Sequence, residues 1–166
     1  MKKYFFLFIL AFSIITSCNS DKTTTYYLIR HAEKNRTDKS NRNPNLNKKG
    51  LERAKKWADY FKNIDLDAVY ATNYKRTQQT AKPTAELKNL EILSYNPSKL
   101  FDSVFKINTK GKTVLIVGHS NTTPDFANAI LGEKKYTFMK DNDNSSLYKV
   151  TLTATKVKSE IIKVEL

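Results

Sequence analysis

Thr113-Val114-Leu115-Ile116-Val117 is the stretch that most constrains this chain. Its residues are β-branched or apolar without alternation, so a strand here has no face to offer to water. Strands of this kind lie inside sheets covered on both sides, the usual setting of parallel sheets. Tyr26-Tyr27-Leu28-Ile29 is a second unbroken apolar run. Both runs end in the same way. Arg30-His31 follows the first, and Gly118-His119-Ser120 follows the second. The chain has 2 histidines, and both therefore stand at the end of a buried strand.

The remaining elements can be read from spacing. Asn35 to Asn47 is polar, contains Pro44 and reads as a loop. Leu51, Ala54, Ala58 and Phe61 recur at helical spacing beside Trp57, with Asn47 as the cap. Asp67 to Ala71 reads as a strand. Thr77 to Leu87 reads as a helix that Pro83 should kink or end early. Glu91 to Tyr95 is a third strand candidate and Leu100 to Ile107 a short helix. Thr123 is expected to cap a further helix, with Pro124 in its first turn. Two β-rich runs around Thr153 to Thr155 form a closing hairpin over Ser145 to Leu166. Strands that alternate with helices predict an α/β three-layer sandwich, a largely parallel central sheet with helices on both faces. Ligands in such sheets bind beyond the carboxyl ends of the strands. Arg30, His31 and His119 all fall there.

The first residues are set apart from the fold. Lys2 and Lys3 precede an apolar run from Tyr4 to Ile15, and Ser17 precedes Cys18. This is the pattern of a signal peptide over residues 1–17, too short to span a bilayer comfortably. Ile15-Thr16-Ser17-Cys18 resembles a bacterial lipoprotein cleavage box, with Ile15 in place of the favoured Leu and Thr16 and Ser17 in place of smaller residues. Cys18 is the only cysteine, so no internal disulfide is available and a lipid attachment site accounts for its position. Residues 18–25 are then a lipidated cysteine and tether, and residues 26–166 one domain. The expected location is outside the cytoplasm, anchored to a bacterial membrane through Cys18 and facing the periplasm or cell exterior.

Lysine and arginine outnumber aspartate and glutamate 29 to 16. That excess suits phosphorylated or otherwise anionic partners. The basic residues are spread along the chain rather than clustered, and no aromatic-basic motif accompanies them, so nucleic acid is not the expected partner. The chain has 4 glycines and no Gly-rich phosphate loop. It has no paired-cysteine zinc pattern and no Gly-x-Ser-x-Gly elbow. His31, Glu33 and His119 do not match a common metal-ligand spacing, and the neighbouring arginines would repel a cation, so no metal is expected. Arginine beside histidine at a strand end suits a phosphoryl group instead. Guanidinium grips phosphate oxygens in a fork, and imidazole can attack phosphorus or pass a proton.

Three blocks carry a family resemblance. Leu28-Ile29-Arg30-His31-Ala32-Glu33-Lys34 resembles the amino-terminal signature of the histidine phosphatase superfamily, in its phosphoglycerate mutase-like branch, with Ala32 in place of the usual Gly. Asn73-Tyr74-Lys75-Arg76-Thr77-Gln78-Gln79-Thr80-Ala81 resembles the second block, whose arginine binds phosphate. Val114-Leu115-Ile116-Val117-Gly118-His119-Ser120-Asn121 resembles the third, which carries the second histidine. The blocks occur in the family's order. The resemblance implies a phosphomonoesterase without cofactor or metal. His31 would be the nucleophile that becomes phosphorylated, and Arg30, Arg76 and His119 would bind the phosphoryl group. Thr77 and Thr80 read as helix packing rather than catalysis. Glu33 is the first candidate for the general acid, with Asp102, Asp125, Glu86 and Glu91 behind it. The expected partner is a small phosphorylated substrate, and no obligate protein partner is evident. Specificity would sit in the loops Asn35 to Asn47 and Lys134 to Asn144. A member of the fold that binds a phosphate ligand but turns it over weakly or not at all is the alternative.

Overall fold

The computed structural model describes residues 22–165. The expected signal peptide and Cys18 lie outside the described residues. Ten elements follow one another: β1 (Thr24–Arg30), α1 (Lys48–Phe61), β2 (Ala68–Ala71), α2 (Lys75–Leu87), β3 (Ile92–Ser94), α3 (Ser103–Thr109), β4 (Thr113–Gly118), α4 (Thr122–Leu131), β5 (Ser146–Leu152) and β6 (Val157–Lys163). They form one six-stranded sheet in the order β3-β2-β4-β1-β5-β6. The first four in that order run parallel, and β5 and β6 complete the sheet as an antiparallel pair.

The side-chain period of 2 divides the core between the two faces. Tyr27, Ile29, Val69, Leu115 and Val117 point to one face, where Trp57 and Phe61 of α1 and Ala81 and Ala85 of α2 cover them. Tyr26, Leu28, Val114 and Ile116 point to the other, under Phe105 of α3 and Phe126, Ala127 and Ile130 of α4. Both faces of β1 and β4 are thus buried. This explains why neither run tolerates a polar alternation.

Three of the differences from expectation have a visible physical reason. β1 begins at Thr24, inside the segment read as tether, because Thr25 pairs with Thr113 and the Thr24 hydroxyl accepts from the Gly111 amide. Pro83 does not end or break α2, which continues to Leu87. Burial of Ala81, Thr84 and Ala85 on that side holds the helix through the proline. Thr123 is not the cap of α4 but its second residue. Its hydroxyl donates to the Ile29 carbonyl at 3.2 Å, while the Thr122 hydroxyl accepts from the His119 amide at 2.9 Å. Asn47 does cap α1, accepting from the Gly50 amide at 2.9 Å.

Candidate active site

β1 and β4 are neighbours in register, with Arg30 opposite Gly118. The residues after them therefore emerge side by side. The His31 amide donates to the Gly118 carbonyl at 2.9 Å, and the rings of His31 and His119 meet edge to face at 5.5 Å. On the other side of β4, β2 ends at Ala71, and the next residue, Thr72, puts its hydroxyl 3.0 Å from His119 Nε2. α2 begins soon after, and its second residue is Arg76. The sheet thus delivers Arg30, His31, Arg76 and His119 to one place. All four line a cavity of about 490 Å³. The N-termini of α2 and α4 follow β2 and β4 directly, so their unpaired amides add positive potential at this end of the sheet.

The hydrogen bonds fix which imidazole nitrogens are free. His31 Nδ1 lies 2.8 Å from the Ala32 carbonyl. A carbonyl can only accept, so Nδ1 carries the proton and Nε2 keeps its lone pair. The peptide between these residues is pinned from two sides. Asn144 Nδ2 donates to the His31 carbonyl at 2.8 Å, and the Thr80 hydroxyl accepts from the Ala32 amide at 2.9 Å. The Thr72 hydroxyl donates to Thr77 Oγ1, so it accepts from His119 Nε2. His119 Nδ1 is then left towards Arg76 Nη2, 3.4 Å away.

The two arginines are held differently. Arg30 is 3% exposed. Its Nη1 donates to the carbonyls of Lys140 and Asp141 at 3.0 and 2.9 Å, and its Nη2 pairs with Asp141 Oδ1 at 3.0 Å. Arg76 lies 4.4 Å above the ring of Tyr74. The Nε atoms of both arginines are buried and have no hydrogen-bond partner among the described residues. Burial, with the nearby arginines, lowers His31 to about 3 and His119 to about 4, so both imidazoles are neutral near pH 7. The Ala32 hydrogen bond opposes that shift at His31 only in part.

Glu33 lies beside this group, with its carboxylate engaged by Arg53. It lines a neighbouring cavity of about 730 Å³ that shares His31, Lys34 and Asp141 with the first. Its two carboxylate oxygens accept from Arg53 Nε at 3.0 Å, and Oε1 also accepts from Nη2 at 2.9 Å. The other acidic candidates lie elsewhere. Asp102 caps α3 by accepting from the Phe105 amide. Asp125 is in the first turn of α4 and lines a different cavity. Glu86 pairs with Lys82, and Glu91 is exposed beside β3. The one carboxylate among the described residues that line the 490 Å³ cavity is Asp141, whose pKa hydrogen bonds from Arg36 and Arg30 lower. No group of three His, Cys, Asp or Glu among the described residues could hold a metal ion.

Thr72, Asp141, Asn144 and Arg53 are positioning residues that the sequence reading missed. Thr72 could have been found, since it follows a strand end as both histidines do. The two expected specificity loops do converge, with Asn35 and Arg36 from one and Asp141 and Asn142 from the other lining the 730 Å³ cavity. Gly50 has a structural reason as well. A Cβ there would stand 2.1 Å from the Glu33 carbonyl oxygen, so only glycine lets α1 pack against the strand-end loop.

This architecture is a phosphoglycerate mutase-like α/β fold. SixA of Agrobacterium tumefaciens superposes with a TM-score of 0.63 at 20% identity, over 84% of this chain and 97% of that one. The protein histidine phosphatase SixA in its tungstate complex gives 0.66 at 15% identity, over 84% and 96%. Phosphoglycerate mutase from Bacillus anthracis gives 0.65 at 14% identity, over 86% and 94%. The model of the histidine phosphatase superfamily (branch 1) matches residues 26–96, which include Arg30, His31 and Arg76. No curated protein matches the sequence.

Proposed function

We propose that this chain is a histidine phosphatase that hydrolyses phosphorylated substrates through a phosphohistidine at His31. The observation that carries the proposal is the single cavity that holds Arg30, His31, Arg76 and His119. Two guanidinium groups beside two imidazoles in one cavity match the oxygens of a phosphoryl group in charge and in forked donor geometry. His31 Nε2 attacks phosphorus with its free lone pair, and the bond to the leaving group breaks. Arg30 and Arg76 stabilise the charge on the equatorial oxygens, and the dianion raises the His119 pKa so that a protonated Nδ1 donates to them as well. Water then attacks the phosphohistidine, the N–P bond breaks, and inorganic phosphate leaves.

The leaving group narrows the substrate. An alkoxide needs a proton, and a positioned acid accelerates such a step by roughly 10²–10⁴-fold. Glu33 is engaged by Arg53, and Asp141 by two arginines. The substrates that fit are therefore those whose leaving group departs without a carboxylic acid: aryl phosphates, acyl phosphates and phosphohistidine. The protein histidine phosphatase named above has the same fold, and it supports the last of these. Initial rates on p-nitrophenyl phosphate, a phosphohistidine peptide and glycerol phosphate test this reading. Glycerol phosphate should be slower by about 10²-fold or more. Equal rates on all three would mean that an acid acts after all, and no turnover on any would leave a phosphate-binding protein.

The proposal includes export and lipid attachment at Cys18, supported by Lys2 and Lys3, the apolar run after them, and Ser17 before the cysteine. Labelled palmitate should enter the protein in cells and fail to enter a Cys18→Ala variant.

A further inference from the structure

The amino-terminal end of the strands, opposite the candidate active site, carries a lysine-lined groove beside β1, with Asp67 before β2 accepting from the Thr113 amide. α3 buries Phe105 and Thr109 against the sheet and turns Ile107 outward, 73% exposed, with Val104 63% exposed beside it. Lys106 of the same helix and Lys110, which caps its end, line a groove of about 370 Å³ with Lys22, over Tyr26 and Phe101. Each charged residue lining that groove is a lysine. None of the three has an acidic partner among the salt bridges of the described residues. Lys112 just before β4 and Lys156 in the β5–β6 turn are exposed at the same end. Asp102 is committed to capping α3.

Exposed aliphatic side chains flanked by unpaired lysines gain nothing from water. They suit an anionic bilayer, where the alkyl groups enter the headgroup region and the ammonium groups meet lipid phosphates. The chain also enters the domain here. The Thr25 amide donates to the Lys112 carbonyl, and Lys22 lies against Gly111. Cys18 stands four residues before Lys22. Four extended residues reach at most about 14 Å, so a lipid on Cys18 would hold this end of the domain close to the bilayer.

We infer that the end of the domain formed by Lys22, α3 and the β5–β6 turn is a docking surface for anionic phospholipid, seated so that the active site faces away from the membrane. The inference rests on the proposed lipid attachment at Cys18 for its geometry, but not for its test.

Residues 19–166 lack Cys18 and retain the whole sheet with both cores. This chain is sedimented with phosphatidylcholine vesicles, with and without phosphatidylglycerol, at low and high salt. It should bind the vesicles that contain phosphatidylglycerol, bind the neutral ones far less, and release as salt rises. Each lysine near an anionic surface strengthens binding roughly fivefold, so Lys106→Glu with Lys110→Glu should weaken it about 25-fold or more. Ile107→Asp should weaken it too, and all these variants should hydrolyse p-nitrophenyl phosphate like the parent. Lys55→Glu with Lys56→Glu, exposed on α1 at the far face, makes the same charge change and should leave binding nearly unaltered. An equal loss from that control pair would show that the charge acts diffusely and overturn the inference. Absence of vesicle binding at low salt would overturn it as well, and would leave this face to a protein partner. Neither result touches turnover or palmitate labelling, so failure of this surface is distinct from failure of the proposed phosphatase or of its anchor.

Discussion

Both ends of the central sheet are positively charged, and the fold treats the charge in opposite ways. At the carboxyl end the cations are crowded and largely withdrawn from water. Arg30 is almost fully buried, Arg76 is half-buried, and burial keeps both histidines neutral. At the amino end the lysines are exposed and separated, and water and salt screen them. Desolvated like charges raise the energy of the folded state, and a phosphoryl dianion among them lowers it again. The proposed phosphoryl ligand would therefore relieve the crowding at the carboxyl end. The amino end holds no such crowding and can only attract a charged surface. Charge content alone would rank the two ends as equals, and burial separates them.

Substitutions at the carboxyl end should have the larger effects. His31→Ala should lower hydrolysis by about 10³-fold or more while far-UV circular dichroism stays unchanged, because no other side chain can form the covalent intermediate. Arg30→Ala and Arg76→Ala should each cost about 10²–10³-fold in kcat/KM, the usual value of one fixed donor to a developing oxyanion. Steady-state rates on p-nitrophenyl phosphate measure all three.

Acid should expose the cost of burying the histidines. His31 and His119 titrate at about 3 and about 4 in the folded protein, against an ordinary value of 6.5. Between those values the unfolded chain binds protons that the folded chain refuses. Their contribution to stability is thus complete above pH 6.5 and is lost as pH falls through the interval. Denaturant unfolding at pH 7 and pH 4.5 should differ by on the order of 5 kcal/mol from the two histidines together, and His31→Gln should remove about half of the difference. Saturating sulfate, a dianion across this range, should raise the His119 pKa so that its ring titrates closer to neutrality in proton NMR. With 2 histidines in the chain, the two signals can be assigned by substitution.

Arg53→Ala would leave Glu33 partly buried with only Lys49, 4.0 Å away, as an ionic partner. It should destabilise the domain by about 2–3 kcal/mol and slow hydrolysis far less than loss of Arg30. At the amino end, Lys106→Glu should change stability by less than about 0.5 kcal/mol and leave the hydrolysis rate unaltered.

The sequence reading succeeded where one physical constraint dominates a short segment. β1 and β4 announce themselves because strands buried on both faces cannot alternate, and the strand-end rule then places both histidines. Asn47 was recognisable as a cap because its side chain satisfies an amide three residues ahead. It failed where the deciding contact lies far along the chain. Pro83 breaks an isolated helix, but burial of Ala81 and Ala85 against the sheet overrides it. Glu33 meets Arg53 twenty residues later, and nothing near Glu33 signals that pairing. Arg30 meets Asp141 across 111 positions, and Asn144 reaches the His31 carbonyl across 113. Both contacts depend on β5 pairing with β1, which brings the end of the preceding loop to the site. The convergence of Arg30, His31, Arg76 and His119 on one cavity was therefore legible. The residues that orient them, and the engagement of Glu33, needed the assembled sheet.

The central claim is that His31 carries the phosphoryl group, and trapping that intermediate tests it most directly. The protein would be mixed with p-nitrophenyl phosphate, quenched in alkali, where phosphohistidine survives, and digested for mass spectrometry. One added phosphoryl group on the peptide containing His31, absent in His31→Ala along with turnover, is the predicted result. Steady hydrolysis with no phosphorylated peptide, undiminished in His31→Ala, would contradict the account.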